Sequence, residues 1–293
     1  MVIDLRAHIV SLVAVFLALG LGILIGISLI GGHAIARRQV VALQKEFQAL
    51  KQQNALKSQQ LAAQAAQIAQ DHTFAAAVVP ALTAGHLTGQ TVAVVVSEPG
   101  YDPSALTSLL SQAGATVGPV VVVDAPTVAL RSSVLGEGEA ALGVHGFTSS
   151  ALWAALAADT AQELTNPTAA PTVHWHQLEK DGLLKVTGMS SGPVQDVVLV
   201  GGDTQGTQDP WITAFDIPLL DGLKQAKVTI VAAQTTPVTA SAMPAYQAAG
   251  VSTVDDLDQP AGEVALVYAL AGEAGNYGVG ADAHALLPAL AGP

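Results

Sequence analysis

The sequence predicts an α/β fold: an N-terminal transmembrane helix and a coiled-coil stem, followed by a Rossmann-like domain with a mostly parallel open sheet. Three patterns predict it. An uncharged apolar run fills residues 9–30, a stretch free of Gly and Pro fills 37–70, and short apolar runs alternate with helical segments from Gln90 onward. The expected division is an anchor over 1–32, a stem over 33–75 and the Rossmann-like domain over 85–293.

Ile9 to Ile30 reads IVSLVAVFLALGLGILIGISLI. As a helix it spans about 33 Å, against a hydrocarbon core of about 30 Å. The core helix of a soluble protein rarely needs so long an apolar run. A cleaved signal peptide is the stronger rival, because Ala34-Ile35-Ala36 has the small-x-small form of a cleavage site. Signal-peptide cores are shorter, at about 7–15 apolar residues, and here Arg6 is balanced by Asp4. The reading is an uncleaved anchor. Ala14, Ala18, Gly22 and Gly26 recur every four residues, and Gly22 to Gly26 is a GxxxG. Such a stripe lets two helix backbones approach closely in lipid, although Gly and Ala are common in membrane helices anyway.

The stem places Val40, Phe47, Asn54, Leu61 and Ile68 seven apart, as a positions. The d positions are Leu43, Leu50, Lys57, Gln64 and Asp71, so the first two heptads make the better seam. Asn54 at an a position fixes register in a two-stranded coil. The candidate oligomerisation residues are therefore Ala14, Ala18, Gly22, Gly26, Val40, Leu43, Phe47, Leu50 and Asn54, and they predict a parallel homo-oligomer. The alternative is a Gln- and Ala-rich spacer that never pairs.

In the domain, Thr91–Ser97 (TVAVVVS), Ala115–Asp124 (ATVGPVVVVD), Val197–Val200 and Val228–Ala233 (VTIVAA) read as buried strands. Pro103–Ala113, Ser150–Leu164, a stretch from Asp209-Pro210 toward Ala226, and Gly262–Ala271 read as helices. Ser149 or Ser150 suits an N-cap. Thr253 to Asp256 comes after a short helical patch. Continuous apolar strands alternating with helices imply a parallel sheet covered on both faces. The segment 125–190 fits least well and reads as an insertion or a smaller lobe.

Charge is unevenly divided. Residues 1–70 hold six Lys/Arg and two Asp/Glu, a net of +4, and residues 71–293 hold five and 21, a net of −16. So acidic a domain does not suit nucleic acid, and no nucleic-acid partner is expected. The basic stem suits anionic lipid headgroups. With no cysteine, disulfides, Cys-ligated zinc, iron–sulfur clusters and thiol catalysis are excluded. Arg37, Arg38 and Lys45 come after the span and only Arg6 and the terminal amine precede it. Counted strictly, that places the domain in the cytoplasm. A very short tail before a first span is more familiar in proteins that export the domain beyond the span, so the flanks leave orientation open.

No constellation for acid–base or nucleophilic chemistry stands out, and no enzyme is expected. Gly201-Gly202-Asp203-Thr204-Gln205-Gly206 comes after a strand at the ligand-binding edge of such a sheet, but it matches neither GxGxxG nor GK[ST]. An ordinary Gly-rich turn is the simpler reading. There is no GxSxG. His174-Trp175-His176 is the metal candidate: in a strand, residues i and i+2 face one side, so His174 and His176 could share copper(II) or zinc. Two surface histidines without a third ligand are the plainer alternative. Asp255-Asp256 with Asp258, and Glu137 with Glu139, read as solvated loops or caps.

The opening MVIDLRAHIVSLVAVFLALGLGILIG resembles the N-terminus of the MctB-type family, mycobacterial copper transport protein B. The order of span, stem and α/β domain is similar too. The closing GEVALVYALAGEAGNYGVGADAHALLP resembles that family's last helix and Gly-rich loop, with Asn276, Tyr277 and Gly278 in the closing motif. The resemblance implies copper transport or efflux, with copper as a transported or transiently bound ion and no resident cofactor. It implies an extracytoplasmic domain, and the family label implies the outer membrane. The competing expectation is a membrane-tethered scaffold that engages envelope proteins without transporting anything. A ligand-binding or catalytic module at the Gly201 edge is the third.

Overall fold

The structure is a computed structural model that describes residues 5–123, 149–167, 179–180, 184–188, 192–202, 212–236, 238 and 240–289, with backbone alone at 5–7, 28–38 and 149. It divides into two compact units, Met1–Gln70 and Asp71–Pro293.

A single helix, α1, runs unbroken over Leu5–Thr83. Its one proline, Pro80, stands in the last turn and leaves the Ala76 carbonyl without its helical N–H donor just before the helix ends. Within it, His8–Ile27 is long and apolar enough to cross a membrane, with a mean hydropathy of 2.8. None of that stretch is buried against the rest of the chain. The seam residues Val40, Leu43, Phe47 and Leu50 are exposed as well.

The second unit is a mixed α/β structure around one seven-stranded, mostly parallel sheet. After α1 come β1 (Thr91–Val96), α2 (Ser104–Gln112), β2 (Thr116–Val123), α3 (Ser149–Thr165) and β3 (Leu184–Thr187). Then come β4 (Asp196–Val200), a π-helical turn (Ile212–Asp216) leading into α4 (Ile217–Gln225), and β5 (Thr229–Ala233). The chain continues with α5 (Met243–Ala248), β6 (Ser252–Val254), α6 (Pro260–Leu270) and β7 (Asn276–Tyr277). Strand order is β3-β2-β1-β4-β5-β6-β7.

The strands carry no polar alternation because both faces are covered. On one face Ala93, Val95, Val197, Leu199 and Ala232 pack against α3, α4 and α5. On the other, Val92, Val94, Val198, Val200 and Val231 pack against α2, α6 and Val79 near the end of α1. The expected strands and helices appear with ends shifted by a residue or two. The helix α3 starts at Ser149, so Ser150, the other expected cap, lies within its first turn. The start of the helix expected from Asp209 lies outside the described residues.

Three features go beyond the sequence reading. Pro119 sits in β2 at a register shift between the β1 pairings of Val92 and Val94, which fits a residue with no N–H for the ladder. Within 125–190, α3 joins the main core through Trp153, Leu156 and Leu164, and β3 pairs antiparallel with β2. Finally, α2 and α6 cover the same face, yet one carries the chain toward β3 and the other toward β7. The two crossovers therefore have opposite hands, and only one obeys the usual right-handed rule. The pairing that ends the second crossover is short, with only Asn276 and Tyr277 joined to β6.

Candidate functional site

The strand order reverses between β1 and β4, and ligands of such sheets gather at the carboxyl ends of the strands beside the reversal. Among the described residues, the strand ends at that edge are tied together by the protein's own hydrogen bonds. The backbone N–H groups of Ser97 and Glu98 both donate to Val200 O, at 2.8 and 3.1 Å. Gly201 N donates to Ala233 O at 2.9 Å. The Thr235 hydroxyl donates to Glu98 Oε1 at 2.9 Å, linking the ends of β5 and β1. Ser97, Glu98, Gln234 and Thr235 are all buried.

Behind Gly201 stands Tyr246 from α5, whose hydroxyl donates to Asp216 Oδ2. A Cβ on Gly201 would lie 1.9 Å from that hydroxyl and 3.2 Å from Ser97 Oγ. Gly201 is thus needed for side-chain packing against the strand end. Burial pushes the Asp216 carboxyl up to about 7, against hydrogen bonds from Tyr246 and Ser97 that lower it. Burial, then the charge of Asp216, pushes the Tyr246 phenol well up.

The rest of the edge is acidic. Tyr101 is pushed up to about 12 by burial and then by Glu98, Asp102, Asp258 and Glu263. The expectation that Asp255 and Asp256 are solvated is corrected: they are 6% and 0% exposed. Asp255 accepts from the backbone N–H groups of Val279 and Gly280, at 2.8 and 2.9 Å. Asp258, which is exposed, accepts from Thr236 N at 2.5 Å and from Gln259 Nε2 at 2.9 Å. Asn276 Oδ1 accepts from the Thr253 hydroxyl at 3.0 Å, so the closing motif is tied to β6.

The metal candidates His174 and His176 lie outside the described residues. Among the described residues no group of three His, Cys, Asp or Glu is placed to hold a metal ion. His86 instead stacks on Tyr268 with ring centroids 4.6 Å apart. Of the small-residue stripe, Ala14, Ala18 and Gly22 are exposed and Gly26 is partly covered. A Cβ on Gly22 or Gly26 would meet nothing within 4 Å, so that face is open. Asn54 is exposed too.

Gly22 and Gly26 fall three and two heptads before Leu43 and Val40. Because α1 is continuous, they share the heptad face of Val40, Leu43, Phe47, Leu50 and Asn54. The unbroken helix thus puts the two glycines and the seam in one register, while Ala18 falls at a g and Ala14 at a c position. A second notch, at Gly20 between Leu12, Phe16 and Leu24, opens on the other side of the helix.

A family model described as "Copper transport outer membrane protein, MctB" matches residues 2–288. No curated protein matches the chain significantly.

Proposed function

Because the chain belongs to the MctB family of copper transport outer membrane proteins, we propose that it serves copper homeostasis as a membrane-anchored parallel oligomer. The family match over nearly the whole chain is the observation that carries the copper role. The apolar stretch His8–Ile27 supports the anchor, and the domain after it is read as extracytoplasmic.

Oligomerisation rests on a physical argument. One apolar helix cannot enclose an aqueous path, and a bare ion in hydrocarbon is too costly to cross beside it. Movement of copper therefore needs several copies or a partner protein. The shared face of Gly22, Gly26, Val40, Leu43, Phe47 and Leu50 supports pairing as a coiled coil. The strand-order reversal between β1 and β4, with both sheet faces covered, supports the Rossmann-like reading. His174 and His176 are the proposed copper contact, through neutral imidazole nitrogens.

The decisive experiment is deletion of the gene with measurement of cell-associated copper. Loss of the protein should raise copper content and lower copper tolerance. Unchanged content and tolerance would sink the proposal and leave the scaffold reading in its place.

A further inference from the structure

The last segment of the described chain is held to the sheet by a short strand pairing and a set of hydrogen bonds. Its pairing with β6 covers only Asn276 and Tyr277, and the hydrogen bonds from Val279 and Gly280 to Asp255 continue the hold. Gln247 Nε2 adds one hydrogen bond to Asp282 O at 3.0 Å. Gly278, at φ +130°, gives the turn its shape and its closeness: a Cβ there would lie 1.8 Å from Asp255 Oδ1.

Beside this grip stands Asp256. It has no exposed surface, and neither of its carboxylate oxygens has a hydrogen-bond partner. Its Oδ1 lies 3.1 Å from the point a Gly278 Cβ would occupy, the same point that Asp255 Oδ1 approaches. Two neighbouring carboxyl groups thus converge on one glycine. The other titratable groups on the described elements around them are Asp258, Glu263 and Tyr268 on α6, Glu98 and Tyr101 after β1, Tyr277, Asp282 and His284 on the segment itself, and His72 on α1, which acts on Glu263. No Lys or Arg occurs at 58–130 or after Lys227 in the sequence, so none of these stretches supplies a lysine or arginine countercharge. A buried charge without a partner is expensive, and a second beside it more so.

We propose that Asp256 is a proton-operated latch on the C-terminal segment 276–288. With Asp256 protonated, Asp255 holds the Val279 and Gly280 amides and the segment is docked. When Asp256 loses its proton, the two carboxylates repel each other, and the segment that closes over them moves off. Burial and then the charges of Asp255 and Asp258 push the Asp256 carboxyl up to about 6, which places the release between mildly acidic and neutral pH. Release would uncover Tyr277 and the end of β6 at the sheet edge.

The test is hydrogen–deuterium exchange of the full chain in detergent micelles, with EDTA, read on peptides covering 276–288 and corrected for intrinsic exchange. Protection should fall about tenfold or more from pH 5 to pH 7.5. Asp256→Asn should stay protected throughout. Asp258→Asn, an exposed change that removes one of the charges acting on Asp256, should move the midpoint to lower pH. Asp216→Asn should leave the segment's response in place. Protection independent of pH in the wild type, an unmoved midpoint in Asp258→Asn, or a response abolished by Asp216→Asn would each overturn the latch.

Discussion

The Tyr246 hydroxyl donates a 2.5 Å hydrogen bond to Asp216 Oδ2, and neither side chain has any surface exposed to solvent. This pair sits behind Gly201, at the sheet edge where the strand order reverses. It also sets a pH dependence. Asp216 is pushed up to about 7 and Asp256 to about 6, both from 3.8. Groups raised on folding contribute stability that is fully present below the unfolded value and is lost as pH rises through the folded one. The melting temperature should therefore fall from about pH 4 to about pH 7. Asp216→Asn should flatten the fall up to about pH 7 and Asp256→Asn the part of it below about pH 6. A melting temperature that rises over this range would contradict the assignment.

Tyr246→Phe removes the donor and leaves Asp216 buried with one fewer partner. Losing a buried hydrogen bond this way costs about 1–3 kcal/mol. Urea denaturation of the full chain should register a drop of that size, with the pH dependence near pH 7 shifted upward as the ionised form loses its support.

Gly201→Ala tests the packing independently of charge. The new methyl would collide with the Tyr246 hydroxyl at 1.9 Å. Overpacking of this kind costs about 1–3 kcal/mol. In a Tyr246→Phe background the collision is eased, so the same change should cost less there. A double-mutant cycle reads the difference, and additive effects would mean that the two residues do not meet.

Much of this architecture was legible. The continuous apolar runs at Thr91, Val197 and Val228 announced buried parallel strands because a sheet covered on both faces leaves no polar alternation to read. The edge strands were not legible. β3 pairs with β2 for only four residues and β7 with β6 for only two, and Leu184–Thr187 and Asn276–Tyr277 have no apolar run to mark them. Burial of Asp255 and Asp256 was hidden for a related reason. Their environment is made by Gly262, Gly278 and Gly280, which come from later parts of the chain, and a D-D pair after a strand otherwise looks like a solvated turn. The Asp216–Tyr246 pair spans 30 residues and carries no spacing signal at all. The Gly201-Gly202 turn was read as ordinary, and the tight approach of Tyr246 gives Gly201 a specific reason to be glycine.

The face that Gly22 and Gly26 share with the seam makes a prediction about assembly. The chain has no cysteine, so single cysteines report proximity without background. Gly22→Cys, Leu43→Cys and Leu50→Cys should form disulfide-linked dimers in membranes under mild oxidation. Gly20→Cys, in the notch on the other side of α1, should not. Equal yields at all four positions would remove the common interface. Gly26→Leu should weaken the crosslink at Gly22→Cys by blocking close approach of the backbones.

The copper reading makes its sharpest prediction at His174 and His176. A deletion strain carrying the wild-type gene should return cell-associated copper to its normal level. One carrying His174→Ala with His176→Ala should not, if the two imidazoles form the contact through which copper passes. Imidazole binds metal only when neutral, so copper(II) uptake by the purified full chain should weaken as pH falls below about 6.5, the ordinary histidine value. The double variant should lose that pH-dependent component and keep its fold, read by an unchanged melting temperature. Full rescue by the double variant would move the copper contact elsewhere in the chain. A deletion strain with normal copper would remove the need for any contact.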